Sequence, residues 1–121
     1  TVDYIGAVQG IPVCFDAKEC HAGAFPIANV HEHQVVFMED FERQGGVAFL
    51  LIYFARENKY YYMRFKELVK FWNRSKTGHA KSVKFTELDM DYMISVKGYY
   101  IQYLPLLQKD LDSRDEQQTS G

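Results

Sequence analysis

The sequence lacks several features that would place it in a specialised class of protein. Its 121 residues include only two cysteines, Cys14 and Cys20, which are too few for a disulfide scaffold. We therefore predict a reducing, cytoplasmic setting. No apolar run approaches the roughly 18 residues that a membrane span needs. The net charge of −2 excludes a strongly cationic chain, although a local basic strip would still allow nucleic-acid binding.

Apolar residues are abundant instead, at 47% of the chain, and their spacing predicts one small α/β domain. We expect a mixed β-sheet flanked by helices, with Asn29 as the N-cap of the first helix and Gly45 and Gly46 as its end. The run "VAFLLIYFA" is typical of a strand covered on both faces. The predicted strands cover residues 1–10, 11–19, 47–55, 60–65, 83–85 and 99–104, and the predicted helices 31–46, 66–76 and 105–115.

The second predicted strand, "IPVCFDAKE", carries charges where a buried strand normally excludes them. Alternation along a strand places Cys14, Asp16 and Lys18 on one face. If the first strand pairs with the second, Asp3 can approach Asp16. Gln34 is a polar residue on the apolar stripe of the following helix, and such a residue needs a partner. The sequence thus predicts that acids, an amide and a lysine meet at one place.

These residue types suit phosphodiester chemistry. Two carboxylates and an amide oxygen are hard ligands that favour Mg²⁺ or Mn²⁺, and such an ion lowers the pKa of its bound water. The ammonium of Lys18 can stabilise the charge that develops on a phosphate. The alternative is an edge strand with a solvated Asp–Lys pair of little energetic value. Periodicity alone does not separate the two interpretations.

The order of several longer segments is more specific than the acid and lysine pattern. "TVDYIG", "FDAKE", "FPIANVHEHQ" and "FMEDFERQGGVAFLLI" occur in that order, followed by "LVKFWNR" and "HAKSVKF". The pattern D…(D/E)-x-K is that of the PD-(D/E)xK nuclease superfamily. The longer segments resemble the RecU-type Holliday junction resolvases of Gram-positive bacteria. The resemblance covers nearly the whole chain and implies a restriction-endonuclease-like nuclease core.

The resemblance also implies a role for individual residues. The family's metal ligands fall on Thr1, Asp3, Asp16 and Gln34, and its transition-state-stabilising lysine falls on Lys18. Asp16, Lys18 and Asp3 are then the catalytic residues. At the Asp16 position glutamate is common in the family, and aspartate stays within the pattern.

The implied activity is a Mg²⁺-dependent endonuclease, with Mn²⁺ as a substitute. A homodimer would place symmetrical nicks in four-way junction DNA during recombination and repair, with recombinase and branch-migration proteins as partners and no membrane association. We expect residues 1–121 to form a single nuclease core domain without the family's N-terminal part. That part includes a basic tail, and the family's protruding stalk is also missing from these residues. These residues alone therefore do not predict how the junction is recognised.

Other residues offer different chemistry. Cys20, His21, His31 and His33 could in principle bind zinc, but their spacing matches no common module, and on a helix His31 and His33 are expected to point in different directions. Cys14 is expected to be a small core residue rather than a nucleophile, since no third group orients a Cys–His pair.

Two further segments could contact DNA. The run 53–65, "YFARENKYYYMRF", could stack on bases, although a hairpin with one buried face is the favoured interpretation. The run 70–84 is a candidate for phosphate contacts or a solvated helix end. Its basic residues and histidine are Lys70, Arg74, Lys76, His79, Lys81 and Lys84.

Two other functions remain open beside the junction-resolving enzyme. A non-catalytic module of the same fold could bind branched DNA or a recombination protein, although binding alone would not require Asp3, Asp16, Lys18 and Gln34. A nuclease that acts on linear duplex DNA is a second alternative. Cleavage with Mg²⁺ or with EDTA separates the first from an enzyme, and comparing four-way with linear DNA separates the second.

Overall fold

The fold is one mixed β-sheet with helices packed against it. A computed structural model describes residues 2–95 and 103–119. In chain order the elements are β1 (Tyr4–Val8), β2 (Ile11–Cys20), β3 (Ala24–Pro26), α1 (Glu32–Arg43), β4 (Val47–Phe54), β5 (Lys59–Arg64), α2 (Phe65–Lys76), β6 (Ser82–Lys84), β7 (Met93–Ser95) and α3 (Leu104–Thr119). The main sheet has the order β1-β2-β4-β5-β7, and β3 pairs with β6 in a second, two-stranded sheet. The predicted α/β class is confirmed, and the architecture is consistent with a restriction-endonuclease-like core.

The strands β2 and β4 form the parallel pair of the main sheet, and α1 is the crossover between them. The other neighbouring pairs of this sheet are antiparallel. Every residue of β4 except Tyr53 is buried, as predicted for a strand covered on both faces. β2 lies between β1 and β4, but β1 pairs only with residues 11–15, so the charged residues Asp16 and Lys18 pair with β4 alone.

The helix α1 begins later than predicted. Its N-cap is His31, so the prediction of Asn29 is wrong. Asn29 instead ends a short 3-10 turn, Ile27–Asn29, that directly precedes the helix. The predicted end at the glycine pair is confirmed: Gly45 has φ +93°, and a Cβ atom on Gly46 would clash with the ring of Phe41.

The C-terminal part differs from prediction at one strand. The predicted strand 99–104 lies mostly outside the described residues, and Leu104 belongs to α3, so that residue was wrongly assigned. The last strand that the structure describes is β7, which pairs with β5. Pro105 lies in the first turn of α3, as predicted, where its missing N–H costs no hydrogen bond.

A side-chain cluster fastens α3 to the body of the protein. Arg114 donates to both carboxylate oxygens of Glu42 on α1, at 2.6 and 2.9 Å. The Glu42 Oε2 atom also accepts the N–H of Ala48 at 2.7 Å, and Asp110 accepts the hydroxyl of Tyr62 at 2.6 Å. This cluster holds the C-terminal end of α1 against β4. Among residues 2–95 and 103–119, no helix is both long and apolar enough to cross a membrane.

Candidate active site

The site begins with two charged side chains on one face of β2. Asp16 is 3% exposed, and its Oδ2 atom lies 2.8 Å from Nζ of Lys18. The Lys18 side chain is only 16% exposed. Burial of an isolated carboxylate is unfavourable, so the close ammonium offsets much of the desolvation cost. The predicted shared face of these two residues is confirmed.

Asp3 reaches this pair from the segment just before β1. The antiparallel register pairs Tyr4 with Phe15, which brings Asp3 opposite Asp16. The main-chain N–H of Asp3 donates to Oδ1 of Asp16 at 3.1 Å, and the N–H of Ala17 donates to Oδ2 of Asp3 at 3.0 Å. These two hydrogen bonds fasten the segment before β1 to β2. Asp3 itself is exposed, so this end of the site faces solvent.

Gln34 completes the arrangement from the first turn of α1. Its Nε2 atom donates to Oδ2 of Asp16 at 3.2 Å, and its Oε1 atom accepts from Nζ of Lys18 at 3.1 Å. The main-chain N–H of His31 donates to the same oxygen at 3.1 Å. Because an ammonium and a main-chain N–H can only donate, both require the amide oxygen, and this fixes which way the amide points.

The structure therefore brings together four of the five side chains that the sequence singled out, namely Asp3, Asp16, Lys18 and Gln34. Thr1 lies outside the described residues. Two main-chain donors, the N–H groups of Ala17 and His31, were missed. A signal for His31 was present, because the spacing of an N-cap residue and a glutamine three positions later is that of a capping box.

The donor set fits a hard divalent cation. Asp3 and Asp16 supply carboxylate oxygens and Gln34 an amide oxygen, which are ligand types that Mg²⁺ accepts. Across the described parts of the chain, no group of three or more His, Cys, Asp or Glu side chains converges. An ion here would thus have few protein ligands, and Mg²⁺ commonly keeps several of its waters in such sites.

The four candidate zinc ligands do not form a site. The thiol of Cys20 donates to the carbonyls of Ala22 and Ala24, at 3.3 and 3.4 Å, and His21 pairs with Glu19. The rings of His31 and His33 stack on each other with centroids 5.6 Å apart, so the prediction that they point in different directions is wrong.

Cys14 behaves as a core residue. Its side chain is fully buried, and burial together with the nearby charge of Glu42 raises the pKa of the thiol to about 12. A thiol with so high a pKa is almost entirely protonated near neutral pH and is a poor nucleophile.

The aromatic run is mainly structural. Tyr61 and Tyr62 are fully buried in β5, and their hydroxyls donate to Glu67 and Asp110. Burial raises the pKa of the Glu67 carboxyl. The Tyr61 hydroxyl lies within hydrogen-bond distance of both Glu67 oxygens, and this contact opposes the rise. The hairpin is present, but the prediction of a single buried face is wrong, because the successive residues Tyr61, Tyr62 and Met63 are all buried and β5 is therefore covered on both faces.

Comparisons with known proteins point in one direction. The family model described as "RecU: Recombination protein U" matches residues 1–109. A protein of Pediococcus pentosaceus named Holliday junction resolvase RecU is 36% identical over 104 residues, which cover 85% of this chain and 49% of that protein. Proteins of the same name from Bacillus mycoides and a Geobacillus species are 34% and 32% identical, over 88% and 90% of this chain and 55% and 56% of theirs. The chain spans about half the length of these relatives.

Proposed function

This chain belongs to the RecU family, and from that premise we propose that it is the catalytic core of a structure-specific endonuclease that resolves Holliday junctions. The observation that supports the proposal is the convergence of Asp3, Asp16, Lys18 and Gln34 at the start of α1. A surface salt bridge would not need the buried carboxylate, the oriented amide and the second acid together.

We propose Mg²⁺ as the cofactor, with Mn²⁺ as a substitute, held by Asp3, Asp16, Gln34 and Thr1. When bound, the ion polarises the scissile phosphate and makes a water molecule more acidic. The hydrogen bonds of Ala17 and Asp3 orient the two carboxylates before any ion arrives, which reduces the reorganisation needed for binding.

Lys18 has a separate role in this proposal. Asp16 and Gln34 hold its Nζ atom at 2.8 and 3.1 Å, so the ammonium is fixed without substrate. A preorganised positive charge stabilises the extra negative charge on the phosphate oxygens in the transition state. The 16% exposure of the side chain leaves part of it available to the DNA.

The partners follow from the symmetry of the substrate. A four-way junction offers two equivalent strands, and a two-fold homodimer places one site at each strand. We propose that each copy makes one of two symmetrical nicks, that recombinase and branch-migration proteins act with the enzyme, and that it works in the cytoplasm.

The test is cleavage of a labelled four-way junction by variants of the site. Asp16→Asn removes a ligand charge and Lys18→Ala removes the fixed ammonium, so both should reduce cleavage by at least about 100-fold, as for loss of a preorganised electrostatic group. Binding to the junction should survive. EDTA should abolish cleavage and added Mg²⁺ should restore it.

Asp112→Asn is the matched control, because Asp112 is an exposed aspartate of α3 whose carboxylate accepts from Gln108 one turn earlier on the same helix. It should cut at the wild-type rate. Undiminished nicking by both site variants would overturn the proposal. Junction binding without Mg²⁺-dependent cleavage by the wild-type protein would favour a binding module, and equal cutting of linear duplex would favour a less selective nuclease.

A further inference from the structure

A groove lies between the start of α1 and the end of α2, next to the candidate active site. Its walls include Trp72, Ser75 and Lys76 from α2, and His31 and Glu32 from α1. Lys81 closes it from the loop before β6. The carbonyl of Lys81 accepts the N–H of Ile27 at 3.0 Å, so this loop is fastened to the turn that precedes α1.

The groove carries positive charge that the protein does not neutralise. Within the described ranges, neither Lys76 nor Lys81 forms an ion pair, whereas Arg74 on the same helix pairs with Glu87. Glu32 is the one acid of the lining. The Nζ atom of Lys76 lies 4.7 Å from the centre of the Trp72 ring, and the hydroxyl of Ser75 donates to the main-chain carbonyl of Trp72 at 2.7 Å. Lysine ammonium groups are common partners of phosphate oxygens.

The groove borders the site at His31. His31 lines the groove, and its main-chain N–H donates to the oxygen of Gln34 that also accepts from Lys18. A strand that leaves the site past His31 would enter the groove that Lys76 and Lys81 line. This shared residue favours a nucleic-acid backbone over an unrelated acidic ligand.

We propose that this groove binds the phosphates of the DNA strand that flanks the cleaved bond. The proposal rests on the proposed nuclease function, because it extends the path of the same substrate. The groove would hold the strand through Lys76 and Lys81 without reading base identity, since contacts to phosphates position a protein but do not specify sequence.

The sequence supplies a reporter, because Trp72 is its single tryptophan. Four-way junction DNA is added in EDTA, so that no cleavage occurs, while Trp72 emission and the anisotropy of labelled DNA are recorded. We expect the emission to change and to saturate at the same DNA concentration as the anisotropy. An emission that stays constant while the anisotropy saturates would overturn the proposal, and so would a complete lack of DNA binding.

Charge variants give a second measurement. The pair Lys76→Gln and Lys81→Gln should weaken junction binding, and the plot of log affinity against log salt should become shallower by about 2, because each lost phosphate contact removes about 0.9. The control pair Lys66→Gln and Lys109→Gln removes the same charge from residues outside the groove lining. It should change affinity and slope much less, and equal losses in both pairs would refute a specific groove.

These outcomes separate the groove from the catalytic proposal. If the protein cleaves the junction with Mg²⁺ but Trp72 emission does not change on DNA binding, the nuclease proposal is supported and the groove proposal is refuted. A Trp72 response together with no cleavage under any divalent cation would leave the groove and remove the nuclease. If an acidic polypeptide changed Trp72 emission and DNA did not, the groove would bind protein instead.

Discussion

At the scale of single residues, Gln34 connects the parts of the candidate site. Its amide contacts Asp16 and Lys18 and also accepts the N–H of His31. The residue is 7% exposed, so replacing it would leave the buried Asp16 carboxylate and the largely buried Lys18 ammonium without this partner. Gln34 thus contributes to the stability of the fold as well as to the arrangement of the site.

We predict that Gln34→Leu slows cleavage by about 10- to 100-fold, because hydrogen bonds to charged groups contribute about 1.5–3 kcal/mol and each 1.36 kcal/mol is tenfold in rate. The free energy of unfolding should fall by about 1–3 kcal/mol, because the buried Asp16 carboxylate, the Lys18 ammonium and the His31 N–H each lose a partner. Single-turnover cleavage of a labelled junction and urea denaturation measure the two quantities.

The control for this substitution is Gln108→Leu, which removes an amide from an exposed position of α3 where it bonds to Asp112. The rate should match that of the wild-type protein. An unchanged rate in Gln34→Leu would show that Lys18 and Asp16 do not need the amide for their chemistry.

Most side chains of the site could be predicted from the sequence, because simple periodicities govern them. Alternation along β2 placed Asp16 with Lys18, and antiparallel pairing brought Asp3 to Asp16. The N–H groups of Ala17 and His31 could not be predicted as easily, since a main-chain donor leaves no mark in the residue type. The stacking of His31 on His33 depends on rotamers that sequence spacing does not determine.

At the scale of elements, the bond between α3 and α1 holds the helix that carries Gln34. Arg114 forms a bidentate pair with Glu42, and the side chains are 28% and 18% exposed. Glu42 lies eight positions after Gln34 on α1, which is about 12 Å along a helix. The pair therefore anchors the end of α1 that is far from the site.

We predict that Arg114→Ala lowers the free energy of unfolding by about 2 kcal/mol. Removing one partner of a fully buried ion pair costs about 3–5 kcal/mol, and the partial exposure of Arg114 reduces this value. The change leaves the Glu42 carboxylate partly buried and without its bidentate partner. Urea denaturation measures the difference.

Arg43→Ala is the matched control, since Arg43 also bonds to carboxylates but its side chain is 68% exposed. It should cost no more than about 0.5 kcal/mol, as for other exposed pairs. Equal losses in the two variants would contradict a special role for the bond between α1 and α3.

The elements themselves were predictable to different degrees. The apolar run of β4 and the glycine pair after α1 carry strong local signals, and both predictions are confirmed. The start of α1 was placed too early because Asn29, a good capping residue by type, is used in the preceding 3-10 turn. The strand β7 has three residues and forms by pairing with β5, and so short a segment has no periodicity of its own.

At the scale of the whole molecule, the net charge of −2 contrasts with the polyanionic character of the proposed DNA substrate. Binding must then depend on where the positive charges lie and not on their sum. On the groove proposal, Lys76 and Lys81, which form no ion pair within the described residues, extend the path of a strand bound at Lys18. One copy would then hold one strand, and paired nicks would require a second copy.

We therefore predict the behaviour of a mixed dimer in which one copy carries Lys18→Ala. Two differently tagged copies are produced together, and the mixed dimer is isolated through both tags. If each copy cuts one strand, the mixed dimer should leave a junction with a single nick and release almost no linear duplex, whereas the wild-type dimer releases two. A native gel separates these products, and repeating the tag selection after the reaction checks that the copies have not exchanged.

Because the intact copy retains Asp3, Asp16, Lys18 and Gln34, its single nick should form at about the wild-type rate per site. Release of duplex at the wild-type rate would mean that one site cuts both strands in turn, and the symmetry argument for a homodimer would then fail.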